Sequence, residues 1–373
     1  MKRVLLILLI FIASTIYPQQ FNKIYNNLLK KYVKDGLVDY EQLKKDTTLQ
    51  TYLDSLSSTN PDSFNNKNQK LAFWINAYNA FTLKIIVDNY PINSINDLNW
   101  GGMIISQILG KTVWDKKFIR INKTKYSLND IEHGIISKKF NDPRVHFSLV
   151  CASLSCPRLR SEVYTPDKLD SQLIEQGKLF LNNPDKNRYD LQNRVAHISK
   201  LFNWYKSDFG KSNKEILLYI SNYLNNPAIV KSIRENPDKW AVEYLPYNWC
   251  LNDKGAKFTD NRCVFDFDTI KGWFLGLGDK YNVNPWIFGG IYVGAIPFFT
   301  FCIGWIIKNY KRNKSIVLPS ILAGFFFISA YLYLIIAGEH VPWWVYSFLV
   351  LMTVYGIYST VNKIKHKVEE KDV

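Results

Sequence analysis

Imidazole, thiol and hydroxyl groups crowd into one stretch of this chain, Arg144-Val145-His146-Phe147-Ser148-Leu149-Val150-Cys151-Ala152-Ser153-Leu154-Ser155-Cys156-Pro157-Arg158-Leu159. The chemistry open to such a set is nucleophilic. A thiol attacks as its thiolate, and a neighbouring imidazolium lowers its pKa. His146 precedes Cys151 by five residues, so a turn between them can bring ring to sulfur. Cys151 is therefore the candidate nucleophile and His146 the candidate base, with Glu132, His133, Asn76 or Asn248 as candidates to orient the ring. Asn79, Arg158 and Cys156 are candidate substrate contacts. Two other uses of the same sulfurs stay open. Cys151 can pair with Cys156 as a disulfide, while Cys250 and Cys263 close a second loop, and a disulfide sulfur is no nucleophile. A zinc site can be drawn from the two cysteines with His146 and His133, but it lacks the familiar Cys-x-x-Cys spacing and ranks below the disulfide. No metal and no cofactor is assigned.

The elements that must position these groups are read from periodicity. Val145, Phe147 and Leu149 alternate with His146 and Ser148, which predicts a strand with one apolar face leading into the cysteine loop. Leu71 to about Asp88 gives the strongest helix signal of the soluble part, ended by Asn89-Tyr90-Pro91. On that helix Asn76 shares a face with Ala72, Asn79, Ala80, Leu83 and Val87. Buried amides must find hydrogen-bond partners, so these two either brace a neighbouring loop, the favoured reading, or orient a catalytic ring. Ser127 and Asp130 form a helix-start signature ahead of Glu132 and His133. Thr165-Pro166 opens a further helix with Leu169, Leu173, Gly177 and Phe180 as its buried stripe. A weak strand follows at Arg194 to Ile198, then a capping box at Ser212 and Glu215, and a last strand and turn between Trp240 and Leu251.

The two ends have a different character. Residues 1–19 carry Lys2 and Arg3 before the unbroken apolar run Val4 to Ile12 and then small residues, the pattern of a signal peptide. Trp286–Ile307, Ile316–Ala337 and Val341–Val361 are three apolar runs of spanning length. Lys308, Lys311, Arg312 and Lys314 join the first two, and Lys363, Lys365 and Lys367 follow the third. Basic connectors stay in the cytoplasm, which predicts an extracytoplasmic domain and a cytoplasmic C-terminus. The expected organisation is a signal peptide at 1–19, an α+β domain at 20–252, a linker at 253–284 and a three-helix transmembrane region at 285–373.

A hydrophobic content of 47% and an aromatic content of 15% exclude a disordered chain. The mean hydropathy of -0.14 averages a polar bulk with a very apolar tail. The formal charge of +15 invites a nucleic-acid reading, which is rejected: part of that charge flanks the apolar runs, and no basic run with interleaved aromatics recurs. The partners expected instead are a membrane and an envelope polymer or membrane partner protein.

The soluble region resembles the family called domain of unknown function 547. The pieces that carry the resemblance are Ala72-Phe73-Trp74-Ile75-Asn76-Ala77-Tyr78-Asn79-Ala80, Asp130-Ile131-Glu132-His133, and Asp142-Pro143-Arg144-Val145-His146-Phe147 through Cys151-Ala152-Ser153 to Ser155-Cys156-Pro157. Phe202-Asn203-Trp204-Tyr205-Lys206-Ser207-Asp208-Phe209 and Tyr247-Asn248-Trp249 belong with them, so that the likeness covers roughly residues 65–252. It implies one α+β domain, mostly helices around a small sheet, and it marks His146, Cys151 and Cys156 as a signature. It brings no settled activity, and the family often has aspartate where Asn248 stands. The functional expectation is a membrane-anchored extracytoplasmic thiol-dependent hydrolase or acyl/peptidyl transferase. The alternative is a non-catalytic envelope binding module stapled by its disulfide loop.

Overall fold

A computed structural model describes residues 22–100, 106, 111–260, 262–264, 281–312 and 314–339, with scattered positions between 341 and 356. The chain divides into two compact units, Met1–Phe265 and Asp266–Val373.

Helix Lys67–Asn89 is the axis of the first unit. Fourteen of its 23 residues are buried, so it is enclosed on most sides and not merely laid on a surface. It begins earlier than periodicity indicates because the Asn66 side chain accepts from the amides of Asn68 and Gln69 and caps a polar first turn. Helix Thr48–Ser58 packs against it, as does a π-helix at Asp130–Ser137. The start of that element carries the expected reciprocal cap: Asp130 N–H donates to Ser127 Oγ, and Ser127 N–H to Asp130 Oδ2. The i→i+5 pattern that follows was not foreseen, and such wide turns are frequent at functional sites.

Three small sheets accompany the helices. Val33–Lys34 pairs with Leu37–Val38, and Ile119–Ile121 with Thr124–Tyr126. In the third, Val195–Ser199 lies between antiparallel Arg188–Asp190 and parallel Ala241–Leu245. The α+β class stands, with helices dominant.

The strand expected across Val145 to Leu149 is instead a 3-10 helix, Pro143–Phe147. Pro143 sits in its first turn, the Asp142 side chain caps it by accepting from Arg144 N–H, and Ser148 N–H closes on the Val145 carbonyl at 2.8 Å. The alternation therefore marks two cores rather than one apolar face. Val145 belongs to the cluster around Lys67–Asn89, and Phe147 to a second cluster with Phe180, Phe202 and Phe209. Helix Leu169–Leu181 packs on this turn; it starts four residues after Thr165, later than expected.

The domain boundary expected at 252 also moves. Asn252 donates to the Gly36 carbonyl and accepts from the Tyr40 hydroxyl, Lys254 pairs with Asp39, and a disulfide joins Cys250 to Cys263. Asn252, Asp253, Lys254 and Cys263 thus find partners within the first unit, on its N-terminal segment, at Tyr90 and at Cys250.

In the second unit, helices Pro285–Lys311 and Val317–Ala337 pack together, with Phe298 and Phe326 stacked at 5.1 Å. Both are long and apolar enough to cross a membrane, by length and composition. Among the described residues these are the two candidate spans. Most of the third run, and all of residues 1–19, lie outside the described residues.

Candidate functional site

Two amides of the central helix hold the cysteine loop in place. Asn79 donates from Nδ2 to the Ser148 carbonyl at 2.9 Å and accepts the Val150 amide on Oδ1 at 3.1 Å. Asn76 does the same to one residue, donating to the Tyr164 carbonyl at 2.8 Å and accepting its amide at 3.0 Å. Both are buried, and each closes a two-point clamp that only a carboxamide, with donor and acceptor side by side, can make. Asn76 therefore braces a segment, and its side-chain hydrogen bonds go to Tyr164 and not to His146 or Cys151. Gln176 adds a third brace, donating to the carbonyls of Phe147 and Arg158.

Past Val150 the loop docks along residues 248–252. Leu154 N–H donates to the Cys250 carbonyl, Asn248 N–H to Ser155 Oγ, and Asn252 N–H to the Ala152 carbonyl. Asn248 uses both amide hydrogens on the carbonyls of Phe258 and Asp260. A carboxylate could not donate there. The disulfide to Cys263 anchors the same segment.

Cys151 and Cys156 are free thiols. Cys156 is buried, and its sulfur accepts the Cys151 amide at 2.9 Å. Cys151 is half-buried, with its sulfur 3.2 Å from Ser153 Oγ and 3.3 Å from the Tyr247 hydroxyl. Burial pushes the Cys151 thiol up, but hydrogen bonds from Cys156, Ser153 and Tyr247 outweigh it and bring the pKa down to about 7. Cys156 goes the other way, raised well above its ordinary value by burial and then by Cys151. Tyr247 is likewise raised, by burial first, so its phenol keeps its proton and donates. Directly after Cys151, Ala152 holds φ at +58°, a left-handed conformation rare for a residue with a β-carbon and common at functional turns.

His146 lies elsewhere in the network. Its ring, 1% exposed, puts Nε2 2.7 Å from Asp208 Oδ2 and tilts over Tyr205 with centroids 3.9 Å apart. A carboxylate only accepts, so Nε2 carries the proton and Nδ1 keeps the lone pair. Burial lowers the pKa of His146, against the opposing pull of Asp208, and the ring is neutral at pH 7. Tyr205 and Tyr78 both donate to the Glu132 carboxylate, at 2.5 and 2.8 Å. Both phenols are raised well above the usual range by burial first and Glu132 second.

The geometry thus sorts the candidates. Glu132 and His146 share Tyr205, and the exposed His133 also stacks on that ring at 5.9 Å. Cys151, Cys156 and Asn79 share the loop. Among the described residues the Cys151 sulfur is met by Cys156, Ser153 and Tyr247, and the His146 ring hydrogen-bonds to Asp208. Arg158 lines an open cleft of about 480 Å³ with Glu175, Lys178 and Asp185, apart from the residues that touch Cys151. No three histidine, cysteine or acidic side chains converge as metal ligands among the described residues. Sequence reading did not single out Tyr78, Ser153, Lys186, Tyr205, Asp208 or Tyr247. Five of these, all but Lys186, lie in the pieces that carried the resemblance, which was the available signal.

Residues 61–181 match a family model described as a protein of unknown function, DUF547. The DUF547 match takes in Asn76, Asn79, Glu132, His146 and both loop cysteines, and ends before Asp208 and Tyr247. No curated protein and no solved structure matches the chain.

Proposed function

We propose that Cys151 is the nucleophile of a thiol-dependent hydrolase or acyl/peptidyl transferase whose domain faces the cell envelope. The observation that carries this reading is the free, half-buried Cys151 sulfur held between two hydroxyl groups, Ser153 and Tyr247. With a pKa of about 7 the thiolate is populated near neutral pH without a base in contact. In the reaction the thiolate adds to an acyl carbon and the leaving group departs with a proton. Water or an amine then takes the acyl group from the thioester and frees the sulfur. The Tyr247 phenol, protonated and beside the sulfur, is placed to donate a hydrogen bond to the oxyanion or a proton to the leaving group. Glu132 acts on the sulfur through its field alone, and His146, held by Asp208 and Tyr205, takes no part in the chemistry. The alternative, a binding module stapled at Cys151–Cys156, has less support because both thiols are free.

The envelope placement rests on the signal-like N-terminus, the basic connector after Lys308 and the two apolar helices. A phosphatase reporter that works only outside the cytoplasm should be active when fused after residue 264 and silent when fused after Lys314; the reverse pattern overturns the placement. For the chemistry, full-length protein in detergent is given p-nitrophenyl acetate. A burst of nitrophenolate with an acetyl group on Cys151 by peptide mass is expected. A Cys151→Ala variant with an undiminished burst would end the proposal.

A further inference from the structure

The two thiols of the loop are built unequally. Cys151 is the accessible one, and its main-chain amide points at the Cys156 sulfur at 2.9 Å. Cys156 is 4% exposed, with its sulfur 3.8 Å from the Leu149 carbonyl. Asn79 clamps residues 148 and 150 and so fixes the turn that holds the pair together. A third group joins them from outside the loop. Lys186 is 9% exposed, and its ammonium donates to the main-chain carbonyl of Cys156. That is the ammonium's one hydrogen bond among the described residues. A buried ammonium gains from a nearby anion, and a thiolate formed at Cys156, whose carbonyl Lys186 already holds, would be stabilised by it.

We propose that Cys151 and Cys156 are a redox-active dithiol that exchanges with disulfides, Cys151 attacking and Cys156 resolving, with Lys186 positioned to favour the Cys156 thiolate. This activity goes beyond acyl transfer and shares with it only the free Cys151 sulfur. The Cys151 thiolate attacks one sulfur of a disulfide R–S–S–R, forming a mixed disulfide and releasing R–S⁻, which takes a proton from solvent. Cys156 then loses its proton to solvent base, and its sulfur attacks Cys151 Sγ. The Cys151–Cys156 bond forms, the bond to the substrate sulfur breaks, and a second R–S⁻ leaves to be protonated. Two protein thiols are oxidised and one substrate disulfide is reduced to two thiols, so the electrons balance. An attacking thiol near neutral pKa beside a buried, less acidic partner is the asymmetry such exchange requires.

Oxidised glutathione is the probe, applied to the full-length protein in detergent with thiol states read by differential alkylation and peptide mass. Wild type should release two reduced glutathiones per chain and end with Cys151 bonded to Cys156. Cys156→Ser should stop at a glutathione adduct on Cys151. Lys186→Met should slow resolution about tenfold at pH 7 and move its pH profile upward by about one unit, and Lys186→Arg should restore it. A wild-type protein that keeps a stable glutathione adduct on Cys151, or that does not react, overturns the proposal without recourse to any variant. Acetylation of Cys151 by p-nitrophenyl acetate is measured in parallel. Retained acetylation with no exchange fails this inference alone, and exchange without acetylation fails the acyl-transfer reading alone.

Discussion

Two polar clusters lie inside the first unit, and burial acts on them in opposite ways. Around Cys151, hydrogen-bond donors converge on a group that can become an anion, so the charged form is favoured despite desolvation. Around His146, a single carboxylate faces a ring that desolvation holds neutral. The charged form of a buried group survives where several donors or partners meet it, and is lost where one partner must offset the whole cost of burial. Glu132 links the clusters by its field: it disfavours a Cys151 thiolate and favours a protonated His146.

The largest expected effect tests the sulfur cluster. Cys151→Ala should abolish labelling of the loop by iodoacetamide at pH 7, whereas Cys156→Ala should leave Cys151 labelling measurable; labelling that survives loss of Cys151 would mean the reactive thiol lies elsewhere. Next in size is the bridge between clusters. Glu132→Ala orphans two buried phenols, each worth about 1–3 kcal/mol, so chemical denaturation should show a loss of about 2–6 kcal/mol. Glu132→Gln keeps an acceptor and removes the charge, so it should cost less stability and shift the Cys151 alkylation midpoint below about 7. An upward shift would break the link between the clusters. Smaller again is Tyr247→Phe, which removes one of the thiolate's donors and should raise that midpoint by about one pH unit.

The parts of this site legible in the sequence are those set by local rules. Asn76 and Asn79 stood out because amides in an apolar stripe must be satisfied, and the clamps confirm the bracing role. Their targets were not legible, since Ser148 and Tyr164 lie 69 and 88 residues away. The Ser127–Asp130 cap and the Cys250–Cys263 pair were readable from short spacings. Val145 to Leu149 misled because alternation reports burial on both sides of a segment as readily as one strand face, and Pro143 with its Asp142 cap decided for a 3-10 turn. The spacing of His146 and Cys151 suggested a pair, but the ring belongs to Asp208, 62 residues on. Long-range partners of this kind leave no periodic trace, and residues 253–264 looked like a linker because their contacts run back to Asp39 and Tyr90.

The smallest effect separates the clusters by pH. His146 has its pKa lowered in the fold from 6.5, so below pH 6.5 the unfolded chain binds a proton that the folded chain does not. Stability from this group is therefore full above pH 6.5 and is lost as pH falls toward the folded pKa, at up to about 1.4 kcal/mol per pH unit. Asp208→Asn removes a contact that raises the folded pKa, so the loss should continue to lower pH; His146→Gln should flatten this part of the profile. Urea midpoints of the full-length protein between pH 5 and 7.5 read the difference. Cys151 reactivity falls over its own range, through about pH 7, and should do so equally in His146→Gln, because the ring and the sulfur share no hydrogen bond. A His146→Gln variant whose alkylation midpoint moves by a full unit would show that the two clusters act as one site.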